Sequence, residues 1–237
     1  MKNKFISKDE IEKERMPSEL YCWLIQKVKQ ICATEEGLEA FRLQNDEGNL
    51  IKKMVEEVAP LAIFAKKKFG DTDQVLLKPV IGNQNYDAIV TDKRTKPVTK
   101  IYVEITQAHE GENDYWRRCE LLKKGFVFSN APVIKEGKGS IRTVSIPPEA
   151  TSVEEGVKNE LARIVDAAKR KVGKCYPDST SLIIFFDDTS LSEDWLQGLN
   201  LPTIDDFVTN ELLNLNLRFS PLYLVGQTQN IFREYII

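Results

Sequence analysis

Apolar residues return every three or four positions through residues 9 to 45. After Pro17 and Ser18, Leu20, Trp23, Leu24, Val28 and Ile31 share one face, which predicts a helix, and a second short helix fits Leu38 to Leu43. Residues 47 to 69 repeat the pattern with Ile51, Met54, Val55, Val58, Ala62 and Ala65. Pro60 is expected to kink or restart that helix, because it has no N–H and crowds the preceding turn. Gly70 ends it. The period then shortens. Val75 to Ile81, Tyr86 to Thr91 and Lys100 to Thr106 read as three strands, separated by Gly82-Asn83 and by the polar turn Asp92 to Lys96. Links this short predict an antiparallel meander, since parallel strands need a crossover.

A helix follows, capped by Asn113 or Asp114, with Tyr115, Cys119, Leu122 and Phe126 as its apolar stripe and Gly125 as its stop. Residues 126 to 147 read as a β-hairpin around Gly137, Lys138 and Gly139. Thr151 with Glu154, or Ser152 with Glu155, offers a capping box for a long helix carrying Val153, Val157, Leu161, Ile164, Ala168 and Val172. Ser181 to Phe186 is an unbroken apolar run, the mark of a strand buried on both faces. Thr203 caps a helix to about Leu215. Leu222 to Val225 is a last buried strand, and Ile231 to Ile237 an edge strand.

The pattern predicts an α/β protein: an N-terminal helical layer over residues 1–46, then an α/β core over 47–237 with a hairpin insertion at about 126–147. The 237 residues suffice for a sizeable core, and 42% hydrophobic with 29% charged residues is ordinary for a globular chain. No apolar run nears the roughly 20 residues that span a bilayer, and the charged first 14 residues lack a signal-peptide core. A cytoplasmic protein without membrane attachment is expected.

Cys22, Cys32, Cys119 and Cys175 form no CxxC pair, and His109 is the single histidine. Disulfide and zinc frameworks are therefore not expected, and any metal would be a hard cation held by oxygen. Net charge is −3, which argues against broad adhesion to DNA but leaves local basic faces open. Lys66-Lys67-Lys68, Lys93-Arg94 with Lys96, Arg117-Arg118 and Lys169-Arg170-Lys171 are such clusters. Taken singly, charge runs mostly just solvate helix ends and turns.

Asp87 opens the second predicted strand, and Glu104 sits on the third between apolar Val103 and Ile105. Alternation puts Glu104 and Thr106 on one face and Val103 and Ile105 on the other. A carboxylate so flanked on a central strand is costly unless it is paired or binds metal. On the preceding helix, at about 100° per residue, Glu57 flanks the apolar face while Glu56 lies farther round towards solvent.

Asp87 … Glu104-Ile105-Thr106, on helix–strand–strand–strand–helix–strand, resembles the PD-(D/E)XK nuclease superfamily, with its restriction-endonuclease-like fold. The resemblance covers roughly residues 47 to 126 and the strand at Ser181 to Phe186. It implies a mixed sheet flanked by helices and a metal-dependent nuclease that hydrolyses DNA phosphodiesters in a defence or repair setting. It also implies magnesium, or manganese, on Asp87, Glu104, the Ile105 carbonyl and Glu57. Two positions depart from the pattern. Asn85-Tyr86 stands where a proline often precedes the aspartate. Thr106 stands where the family usually has the lysine that orients water and offsets transition-state charge. Arg118, about 60° from the centre of the buried face of the next helix, is the replacement cation expected here, with Lys78 as another candidate.

Several motifs carry less. An acid on each of two strands also arises from ordinary surface alternation. Tyr115 and Trp116 can stack bases, but aromatic residues at helical spacing are read as core. His109 can act as a base, although a lone loop histidine is usually incidental. Gly137-Lys138-Gly139 lacks the spacing of a phosphate-binding loop. Asp187 and Asp188 are read as capping the next loop. Thr106 favours a second function: a nuclease-like module without chemistry that binds nucleic acid or a protein partner. A small-molecule enzyme on a doubly wound fold is disfavoured, since no Gly-rich strand-to-helix fingerprint is present. Strandedness, sequence preference and homodimer formation are left open by the sequence.

Overall fold

The computed structural model describes residues 4–128, 131–137, 143–149, 151–191 and 193–236. Its centre is a mixed sheet of six strands. β1 (Val75–Pro79), β2 (Ala88–Asp92) and β3 (Thr99–Gln107) form the antiparallel meander that their short links demand. β6 (Thr180–Phe186) and β7 (Leu222–Gly226) extend it in parallel, and β8 (Phe232–Tyr235) closes the far edge antiparallel, giving the order β1-β2-β3-β6-β7-β8. Between β3 and β6 the chain runs through α6 (Glu112–Lys124), a short ribbon of β4 (Ile134–Glu136) and β5 (Thr143–Ser145), and α7 (Val153–Lys169). Lys138 and Gly139, expected at the tip of that hairpin, lie outside the described residues.

Strand alternation divides the interior in two. Val103, Ile105, Ile183, Phe185, Tyr223 and Val225 face the N-terminal helices α1 (Lys8–Ile11) and α2 (Pro17–Ile31) and the arm ending in α5 (Ala59–Phe69). Leu182, Ile184, Phe186, Leu222 and Leu224 face α7 and the region of α9 (Ile204–Phe207). With both faces covered, every residue of β6 is buried. The chain is thus an α/β protein with a mixed sheet flanked by helices. Among the described residues no helix is long and apolar enough to cross a membrane.

Pro60 shapes the arm differently from a simple kink. Leu50–Lys53 (α4) continues through a π-helical turn at Met54–Val58 into α5, so the helix is never restarted. Ala59 N–H reaches back to the Met54 carbonyl, and Pro60 has no N–H to offer. The Val55 and Glu56 carbonyls are thereby left without their usual helical donors. The Gln107 side-chain amide, from the end of β3, donates to both at 3.1 and 3.3 Å. Such single π turns recur at functional sites.

Two expectations fail on α6 and α7. Tyr115 is 37% exposed and Phe126 62%, so the expected stripe of α6 is not core. The buried residue of that helix is Arg117, held by charge rather than by apolar contact. Val153 and Val172, at the ends of the expected α7 stripe, are also exposed, while Val157, Leu161 and Ile164 pack inward. α8 (Glu193–Gly198) had no strong signal in the sequence. Of the two acids expected to cap the next loop, Asp187 does so, accepting from Thr189 N–H at 3.0 Å, whereas Asp188 reaches the turn between β7 and β8 and accepts from Thr228 N–H at 2.7 Å and Ile231 N–H at 3.1 Å. Gly226 makes room for it, since a Cβ there would lie 2.1 Å from the Asp188 carboxylate.

Candidate active site

Asp87 lies one residue before β2 and is bonded on both sides. Its N–H donates to the Val103 carbonyl, and its carbonyl accepts from Val80, both at 2.8 Å. Ala88 pairs with Val103, so Asp87, one residue before that pair, lies beside Glu104, one residue after it. Glu104 is 8% exposed and Thr106, two residues along the same face, 7%. The Asp87 carboxylate accepts from Ile105 N–H at 2.8 Å. The N–H and C=O of one strand residue point to the same side, so the Ile105 carbonyl opens on this edge too.

Glu57, from the π turn, is the helix acid that shares the field of this pair. Burial first, then the negative charges of Glu57 and Glu104, push the Asp87 carboxyl up to about 7, against the Ile105 hydrogen bond and the pull of Lys171. Burial likewise raises Glu57, against its bond from Lys53. Glu56 turns elsewhere, 3.9 Å from His109 Nε2.

The cations that reach the acids are Lys53 and Lys171. Lys53, one helical turn before Glu57, binds it. Lys171, two residues beyond the end of α7, donates to Glu104 at 2.5 Å. Arg170 beside it anchors the segment by donating to the Gln107 carbonyl at 2.9 Å. Among the described residues the acids do not stand gathered as a ready ligand set, because each glutamate is turned onto a lysine. Tyr176 completes the surroundings. Its ring packs on Phe219, and its hydroxyl is buried without a hydrogen-bond partner among the described residues. Burial, then the charges of Glu104 and Asp87, raise its pKa, so it remains a proton donor at neutral pH.

Arg118 is not brought to this cluster. It lines a separate hollow with Glu56, Gln107 and His109. The phase expected for α6 was off by one residue: Arg117, about 100° round the helix, takes the inward position. Lys78, on β1, is exposed. Lys171 was visible only as part of a basic helix end. It stands 67 residues from Glu104, and no local spacing links the two.

Beside the hollow runs a partly buried ion network. Arg117 binds Glu110 at 2.9 Å and Asp114 at 2.8 Å. Arg163 binds Glu110 and, at 2.8 Å, Glu160. Burial pushes the Glu160 carboxyl up to about 6, although Arg163 pulls it down. An acid whose folded pKa is raised binds more protons folded than unfolded between the two values. Stability therefore falls as pH rises from about 4.5 to 6 and stays lower above. The shift corresponds to roughly 2 kcal/mol. Urea midpoints measured from pH 4.5 to 7 should decline for the wild type, and Glu160→Gln should flatten that decline. Equal slopes in both proteins would remove Glu160 as the cause.

No family model matches the chain, nor does any curated protein or solved structure.

Proposed function

We propose that the chain is a metal-dependent nuclease of the PD-(D/E)XK type on a restriction-endonuclease-like core, hydrolysing DNA phosphodiester bonds. The observation that carries this reading is the juxtaposition of Asp87, just before β2, with Glu104 on β3, and with Glu57 in the same field. Holding one buried and two partly buried acids within one another's field is expensive, and a fold keeps such an arrangement where a cation repays it.

The donor set suits a hard divalent cation: carboxylates of Asp87, Glu104 and Glu57, with the Ile105 carbonyl on the same edge. Bound there, magnesium or manganese would polarise the phosphate and lower the pKa of a water. The chain's own groups do the rest. Lys53 and Lys171 neutralise the glutamates while these are free of metal. Lys171, released from Glu104, can then face the charge that grows on the scissile phosphate. It would thus supply, from just beyond α7, the ammonium that Thr106 does not supply from β3. Tyr176, protonated and unpartnered, can donate to a phosphate oxygen or a water held by the acids.

A second reading keeps one observation of its own. The lysine pairs already satisfy Glu57 and Glu104, which suits a nuclease-like module that binds nucleic acid or a protein without cutting. Supercoiled plasmid and single-stranded DNA, incubated with the protein in manganese, magnesium or EDTA, separate the two. The nuclease reading expects breakage with metal and none with EDTA. Intact DNA under every condition would leave the binding module.

A further inference from the structure

The hollow beside the acids measures about 960 Å³, within the range of small-ligand sites. It opens at the carboxyl ends of β3 and β6, walled by the end of α3 (Glu35–Leu43), the π turn and α6. Ligands of open α/β sheets commonly bind at such strand ends. Nearly all its charges are spoken for. Arg117 and Arg163 hold acids on both sides, and Glu112 binds Lys135 at 3.0 Å.

Two groups are not satisfied. Arg118 makes no ion pair or hydrogen bond among the described residues, and its Nε is buried without a partner. The Gln44 side-chain carbonyl, at the C-cap of α3, is also buried without a donor among the described residues. Neither atom is reached by water, so only a shift of the side chain onto a bound group would satisfy it. A half-buried guanidinium without a counter-charge and an orphaned carbonyl are both costly. An occupant bringing an anion and a hydrogen-bond donor removes both costs.

The guanidinium fork matches phosphate oxygens. Tyr115, one helical turn before Arg118, lines the same hollow and is 37% exposed, so a ring face is available for stacking. A nucleotide carries all three complements: phosphate, flat base and exocyclic amine. We propose that this hollow is a nucleotide subsite, holding a phosphate on Arg118 and a base amine on Gln44. The proposal deepens the nuclease reading and rests on it for its role: the hollow would seat the strand a few nucleotides from the bond cut at Asp87 and Glu104. Gln107, which lines it, is three residues beyond Glu104 on β3, roughly 10 Å along the strand. That is about three steps of a stacked nucleic-acid strand.

The test is binding of deoxyadenosine 5′-monophosphate and of inorganic phosphate, each titrated calorimetrically in EDTA, where no cleavage occurs. Wild type should bind the nucleotide more tightly than phosphate. Arg118→Ala should weaken both about 10- to 100-fold, the range for a lost charge-assisted hydrogen bond. Gln44→Leu should weaken the nucleotide alone. Arg118 has no hydrogen bond or ion pair to lose among the described residues, so the melting temperature of that variant should stay close to wild type. No heat with wild type, nucleotide binding no tighter than phosphate, or unchanged binding by Arg118→Ala would each overturn the subsite. Binding as expected in a protein that never cleaves DNA would sink the nuclease reading and leave the site. Metal-dependent cleavage without binding would do the reverse.

Discussion

Lys171→Ala is expected to slow metal-dependent DNA cleavage by about 100- to 1,000-fold, the usual cost of losing one preorganised group that answers transition-state charge. Asp87→Ala and Glu104→Ala should leave none detectable, since each removes a charged oxygen ligand. Lys171 touches Glu104 at 2.5 Å, so a purely structural role must be separated from a catalytic one. Thr106→Lys does this. Residue 106 shares the face of Glu104, two positions along β3, so a lysine there can present its ammonium to the same phosphate. Partial recovery in the Lys171→Ala, Thr106→Lys protein, at saturating manganese, is the catalytic signature. A Lys171→Ala protein that cuts like wild type would end the assignment. Equal cleavage by wild type and both acid variants would place the activity in a contaminant or at another site.

The second large effect is on stability, and it contrasts two adjacent arginines. Arg117→Ala should cost about 3 kcal/mol in chemical unfolding, the lower part of the range for breaking a buried ion pair. Arg117 is 8% exposed and ties α6 to the following segment through the Ala131 carbonyl, at 2.9 and 3.1 Å, besides binding Glu110 and Asp114. Glu110 keeps Arg163 when Arg117 is gone, which limits the loss. Arg118→Ala should change stability by less than about 0.5 kcal/mol, as for a residue away from any buried network. A reversal of the two values would mean that α6 docks on its other face.

The antiparallel part of the sheet was legible because its strands are punctuated by turns and linked too briefly for a crossover. That in turn made Asp87 and Glu104 readable as neighbours: once β2 and β3 pair, a side-chain period of two leaves few registers. Glu57 could be phased against the apolar residues of its own helix. What escaped the sequence depends on tertiary contact. Lys171 meets Glu104 only because β6 lies parallel beside β3 and carries the end of α7 with it. The phase of α6 misled because the helix is docked through Arg117, and hydrophobic spacing says nothing about a side chain buried by its charge. Tyr115 and Phe126 kept the look of a core stripe while facing outward. The π turn was equally hidden, since Pro60 announces a disturbance but not its form.

The double hydrogen bond from Gln107 to the Val55 and Glu56 carbonyls has a mechanical consequence. The acids come from two bodies, a helix and a sheet, that could slide against one another. One amide clamps the helix at the turn that bears Glu57 to the strand that bears Glu104, three residues from that glutamate. Relative sliding of helix and sheet is thus held smallest at the acids and can grow only with distance from the clamp. Part of the stiffness of the cluster thus comes from a side chain outside it, whose two acceptors exist because the π turn and the proline together left them vacant.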